Sequence, residues 1–147
     1  MTRVSFYILS SEQEQQRLLF SCRLIEKAVN QGNRVLVHVD SAADAEQIDD
    51  LLWSFKPEAY LPHAIVGGEL DDELGELPIA ISCGATDCEQ HHDVLLNLAT
   101  QLPPWFARFK RFAQVVNQQP ALLQASRKHY GFFKERGYPI ETNKLNY

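Results

Sequence analysis

VSFYILSSEQEQQRLLFSCRLIEKAVNQGNRVLVHVDSAADAEQIDDLLWSF, residues 4–55, decides the fold. Its two apolar runs, VSFYIL (4–9) and RVLVHV (34–39), are the length of buried strands. Between them Leu18, Cys22, Ile25 and Val29 recur at helical spacing. Ser10 or Ser11 offers an N-cap, early acids suit the positive helix end, and Gly32 supplies the stop. SAADAEQIDDLLWSF then starts a second helix at Ser41. Strand, helix, strand, helix specifies a parallel sheet with helical crossovers. The expected architecture is α/β, three layers with a mostly parallel central sheet flanked by helices. It is Rossmann-like, with residues 1–147 as a single domain.

Downstream the pattern continues less clearly. AYLPHAIVGG reads as a short edge strand interrupted by Pro62, and ELDDELGEL as an acidic loop. PIAIS (78–82), DVLLNLA (93–99) and RFAQVVN (111–117) read as strands, with PPWFARF a turn or short helix. PALLQASRKHYGFFKERGY is the last helix, with Pro120 in its first turn and Gly137 just beyond its end.

Composition narrows the function classes. With 45% hydrophobic and 22% charged residues the chain has the balance of an ordinary globular protein. Its apolar runs fall short of the roughly 18 residues of a membrane span. The first run is too short for a secretory signal, which points to the cytoplasm. Three irregularly spaced cysteines, Cys22, Cys83 and Cys88, do not form a disulfide framework. Cys22 lies on the apolar stripe of the first helix and reads as core.

The chemistries that need a specific constellation mostly fail. A dinucleotide site needs glycines at the first strand–helix turn, and LSSEQEQQ has two acids and no glycine. Asp40, at the end of the second strand, is then a loop residue or a helix-start partner. VGGELDDELG has glycines but lacks the lysine of a phosphate loop. No cofactor is expected. CGATDCEQHH gathers Cys83, Cys88, His91 and His92, but C-x4-C-x2-H-H is not a strong zinc spacing, so no metal is expected. No nucleophile elbow or triad appears, so no intrinsic enzymatic activity is expected. The paired acids Asp49, Asp50 and Asp71, Asp72 read as solvated surface.

Charge is distributed unevenly. Residues 1–100 carry 6 Lys/Arg against 17 Asp/Glu, and residues 101–147 carry 8 against 2. A basic segment in an acidic chain points to an anionic partner. On the last helix Leu122, Ala125, His129 and Phe133 form the expected core stripe. Leu123, Arg127, Tyr130 and Lys134 form a second stripe about a quarter-turn away. An aromatic wall beside a guanidinium suits a ligand with an apolar group and a carboxylate. Arg108, Lys110 and Arg111 widen the positive field, and they also support an alternative, direct single-stranded nucleic-acid binding. A second surface, LLWSFKPEAYLPH (51–63), is dense in aromatics, of which one or two are expected to face a partner.

At these residues the chain resembles the chi subunit family of bacterial DNA polymerase III. The likeness runs through SFYIL, GNRVLVHVDSAADAEQIDDLLWSF, YLPH, DVLLNL and SRKHYGFFKERGY, along nearly the whole chain. It implies a noncatalytic accessory role in the clamp-loader part of the replicase, pairing with the psi subunit. It also implies binding of the acidic, phenylalanine-ended C-terminal tail of single-stranded DNA-binding protein, and so an indirect link to single-stranded DNA. By the resemblance Arg127 and Tyr130 hold that tail and Val116 forms part of an apolar wall. Leu123, Lys128 and Lys134 are the neighbouring contacts. The basic residue usual after the aromatic is Gly131 in this chain. Trp53 and Tyr60 match the partner-binding aromatics, with Phe55 and Pro62 beside them.

Overall fold

A computed structural model describes residues 1–69, 71–84 and 91–146. The strands are β1 (Arg3–Leu9), β2 (Val35–Val39), β3 (His63–Ile65), β4 (Ile79–Cys83), β5 (Val94–Asn97), β6 (Arg111–Val116) and β7 (Ile140–Leu145). The helices are α1 (Glu14–Asn30), α2 (Ala42–Ser54) and α3 (Pro120–Glu135). The strands form one sheet in the order β3-β4-β2-β5-β6-β1-β7, and every pairing is parallel. The α/β reading of residues 4–55 holds, and the expected edge strand is β3, starting just after Pro62.

Two apolar layers sandwich the sheet. On one face Leu18, Cys22 and Ile25 of α1 and Ala45, Ile48 and Leu52 of α2 pack on Val37, Ile79 and Leu96. Burial pushes the Cys22 thiol up to about 12. On the other face Phe133 of α3 and Phe106 close over Val4, Phe6, Leu95 and Phe112. Phe106, Phe112, Phe133 and Tyr138 meet mostly edge to face, with centroids 5.1 to 6.4 Å apart, the arrangement their ring quadrupoles favour.

Local signals placed most boundaries. Ser41 accepts a hydrogen bond from the Asp44 N–H at 3.2 Å and caps α2. Gly32 and Gly137 take left-handed φ values of 86° and 76° where α1 and α3 stop. Four expectations change. Ser11 accepts from the Gln13 N–H at 3.0 Å, shaping the turn before α1, whose N-cap is Gln13. In the acidic stretch, Asp71–Glu76 forms a 3-10 helix, because Leu74 is buried in the second core layer. The buried arc of α3 is Ser126, His129 and Phe133, with Leu122 and Ala125 half-buried. A hydrogen bond from His129 Nδ1 to Gln114 Oε1, 2.8 Å long, fixes that rotation. Finally β7, beyond the last expected element, adds a parallel strand beside β1.

Candidate functional site

Where a parallel sheet offers a nucleotide its crevice, at the C-terminal strand ends, this chain has closed the space with polar bonds. Arg17 is buried and donates to the Glu14 carboxylate at 2.6 and 2.9 Å and to the Leu98 and Val115 carbonyls at 3.0 to 3.2 Å. Asp40 accepts from the Thr100 N–H and hydroxyl, so it ties the ends of β2 and β5 together instead of starting a helix. The remaining cavity, about 330 Å³, is lined by Glu14, Asp40 and Asp44. Those carboxylates repel a phosphate.

The Cys/His segment is partly placed. Cys88 lies outside the described residues. His91 is buried and donates from Nε2 to the Leu77 carbonyl at 2.6 Å, and desolvation lowers its pKa. His92 packs against Phe109 with centroids 5.0 Å apart. Among the described residues no three His, Cys, Asp or Glu side chains gather as a metal site.

The last helix does build a groove. α3 crosses above β1, between β6 and the edge strand β7, and leaves about 450 Å³ lined by Phe6, Ile8, Ser126, Arg127, Tyr130, Gly131 and Thr142. The helical residues fall at i, i+1, i+4 and i+5, one face of a helix. Tyr130 is 39% exposed and leans on the buried Phe6 ring, centroids 5.7 Å apart and tilted by 56°. A Cβ at Gly131 would meet no atom within 4 Å, so the groove is open there. Arg127 is exposed and makes no ion pair or hydrogen bond among the described residues. The site therefore joins an apolar floor, an aromatic wall and a free guanidinium, which suits a carboxylate on an apolar group.

The other residues expected near this groove are placed at different depths. Val116 is 1% exposed, paired in register with Ile8 beneath the surface. Leu123 is half-buried one turn before Arg127, and Lys128 and Lys134 are exposed on α3. Lys110 pairs with Asp93 at 3.3 Å. Arg111 lines a cavity on the α1 face with Tyr7 and Glu141. Thr142 was missed because β7 was not recognised, and Phe6 and Ile8 were read only as a buried strand.

The aromatic segment after α2 forms a separate surface. Trp53 is 48% and Tyr60 74% exposed, whereas Phe55 packs against the core and Pro62 is half-buried. Tyr60 holds φ at 43°, a left-handed conformation that a non-glycine residue adopts at some cost. Beneath Trp53 lies the buried His63 ring, centroids 4.2 Å apart. His63 Nδ1 faces the Leu61 carbonyl at 2.7 Å, and Nε2 faces the Asp49 carbonyl and carboxylate, each at 3.0 Å. Among the described residues each ring nitrogen thus faces an oxygen, of Leu61 on one side and of Asp49 on the other. Burial raises the Asp49 carboxyl, and His63 acts in the opposite direction.

Comparison with known proteins gives the lineage. A family model described as DNA polymerase III chi subunit, HolC, matches residues 1–141. A Pseudomonas aeruginosa protein named DNA polymerase III subunit chi is 38% identical over 145 residues, spanning 99% of this chain and 98% of that one. Proteins of the same name from Haemophilus influenzae and Escherichia coli are 27% and 23% identical, over 95% and 97% of this chain. Among solved structures, T4 UvsW superposes with a TM-score of 0.65 at 11% identity, over 99% of this chain and 41% of that one. That likeness concerns the α/β fold alone. By its family match and its relatives, the chain belongs to the DNA polymerase III chi subunits.

Proposed function

We propose that this chain is a noncatalytic adaptor of the DNA polymerase III holoenzyme, working in the cytoplasm without a cofactor. Its family membership carries the coarse part, an accessory role in DNA replication. Two separate surfaces support the finer part. The Arg127 groove takes the acidic C-terminal tail of single-stranded DNA-binding protein, and the Trp53 and Tyr60 surface takes the psi subunit. The clamp loader is thereby linked to coated single-stranded DNA.

The observation that carries the tail reading is the Arg127 guanidinium, unpaired among the described residues, beside a groove floored by Phe6 and Ile8 and walled by Tyr130. Arginine holds a carboxylate through two parallel N–H···O bonds, and the groove buries the terminal aromatic ring. This is capture of a chain end by its carboxylate. The contact is small, so it is weak alone and gains strength from many tails on one coated strand. Arg108, Lys110 and Arg111 do not join Arg127 in lining the groove, which favours a peptide over a nucleic-acid backbone.

A titration tests the reading. The wild-type chain should bind a short acidic peptide ending in phenylalanine and leave a naked oligonucleotide alone. Arg127→Ala should weaken the peptide about tenfold or more, the effect of losing a hydrogen-bonded charge. Tight oligonucleotide binding without peptide binding would replace this reading with direct single-strand binding.

A further inference from the structure

Strand β7 brings to the groove a cation that the pattern of α3 does not contain. Thr142 lines the groove, and side chains alternate along a strand, so Lys144 stands on the same face two residues further on. The register names its neighbour: Lys144 is paired with Ile8 of β1, itself a groove wall. Adjacent strands lie about 5 Å apart, which roots Lys144 beside the Ile8 end of the groove. The intervening residues obey the same alternation. Glu141 lines the cavity on the opposite face, and Leu145 packs into the α1-side core. The nearest acid in sequence is thus turned away from Lys144. Lys144 is exposed and makes no ion pair among the described residues. Among the described residues β7 pairs only with β1, and no further strand there screens it.

We infer that Lys144 is a second cationic contact of this groove, one that receives an acidic side chain upstream of the carboxylate held by Arg127. The inference rests on the peptide reading above and adds a direction to it. Lys134 lies seven residues, or about 10 Å, along α3 from Arg127, whereas Lys144 stands across the groove from Arg127 on the sheet edge. The peptide therefore leaves the groove over β7, with its acids along the sheet edge and not along the helix. Lys144 supplies at the edge the charge that Gly131 cannot supply within α3.

The test uses two short peptides ending in phenylalanine with a free carboxylate, one with upstream acids and one with those acids replaced by their amides. Both are titrated against the full chain, Lys144→Gln, Lys27→Gln and Arg127→Ala, at about 50 and about 300 mM salt. Lys144→Gln should weaken the acidic peptide about two- to fivefold, the range for exposed charge pairs. It should also flatten the salt dependence of that peptide and leave the amide twin unchanged. Lys27→Gln, on α1 at the opposite face of the sheet, should change neither. If Lys144→Gln leaves the acidic peptide at wild-type affinity while Arg127→Ala weakens it, the inference fails and the groove reading stands. Equal weakening of both peptides by Lys144→Gln also overturns the inference. A wild-type chain that binds neither peptide overturns the groove reading and the inference together.

Discussion

Gly131 is an interior residue of α3, where glycine is about 1 kcal/mol less favourable than alanine. An added methyl group there has free space. Gly131→Ala should therefore raise stability by about 0.5 to 1 kcal/mol in urea unfolding. A loss of stability would mean that the space beside Tyr130 is already filled. The same variant narrows the groove, so a fall in peptide affinity alongside the gain in stability would locate the ligand against that face. At this scale the sequence was a partial guide. Arg127 and Tyr130 were legible because helical spacing puts them on one stripe. Phe6 and Ile8 were not, since a buried strand residue and a groove floor look alike until the covering helix is placed.

The segment after α2 behaves as an element with its own task. Tyr60 is mostly exposed in a left-handed conformation, and Trp53 covers His63 while keeping about half its surface free. Tyr60→Ala should change stability by less than about 0.5 kcal/mol, as exposed substitutions do, and Trp53→Ala by about 1 kcal/mol through the lost ring contact. Both should weaken co-purification with a psi subunit while circular dichroism stays native. A variant of either kind that unfolds, or that leaves the complex intact, would return these rings to a structural role. The same contrast explains which elements were readable. β1, α1, β2 and α2 carry strong apolar periodicity and caps such as Ser41. β7, with the sequence IETNKL, is polar at four of its six positions and flanks the sheet, so its alternation signals nothing until β1 is seen to lack a neighbour. The acidic stretch concealed a 3-10 helix because a single buried leucine, Leu74, decides it.

Across the whole molecule, the basic C-terminal segment lies on an otherwise acidic body, while the response to pH comes from buried histidines. His38, His91 and His129 are each held below the ordinary histidine value of 6.5, chiefly by burial. The unfolded chain takes up protons at these positions as pH falls through about 6.5, and the folded chain resists until lower pH. Their contribution is complete above that value and is lost as pH falls toward the folded values. Urea unfolding should show lower stability at about pH 5.5 than at about pH 7.5. His129→Gln, which keeps a donor for Gln114, should narrow that difference, and an unchanged difference would remove His129 from the account. The charge division itself was visible in the sequence, but its use depends on α3 and β7 flanking one groove. The central claim is that this groove holds the free end of another chain. The most direct measurement compares an acidic peptide ending in phenylalanine with its C-terminally amidated twin, each titrated against wild type and Arg127→Ala. The account predicts that amidation weakens binding to wild type about tenfold or more, with little further loss in Arg127→Ala. Equal affinity of the two peptides for the wild-type chain would contradict it.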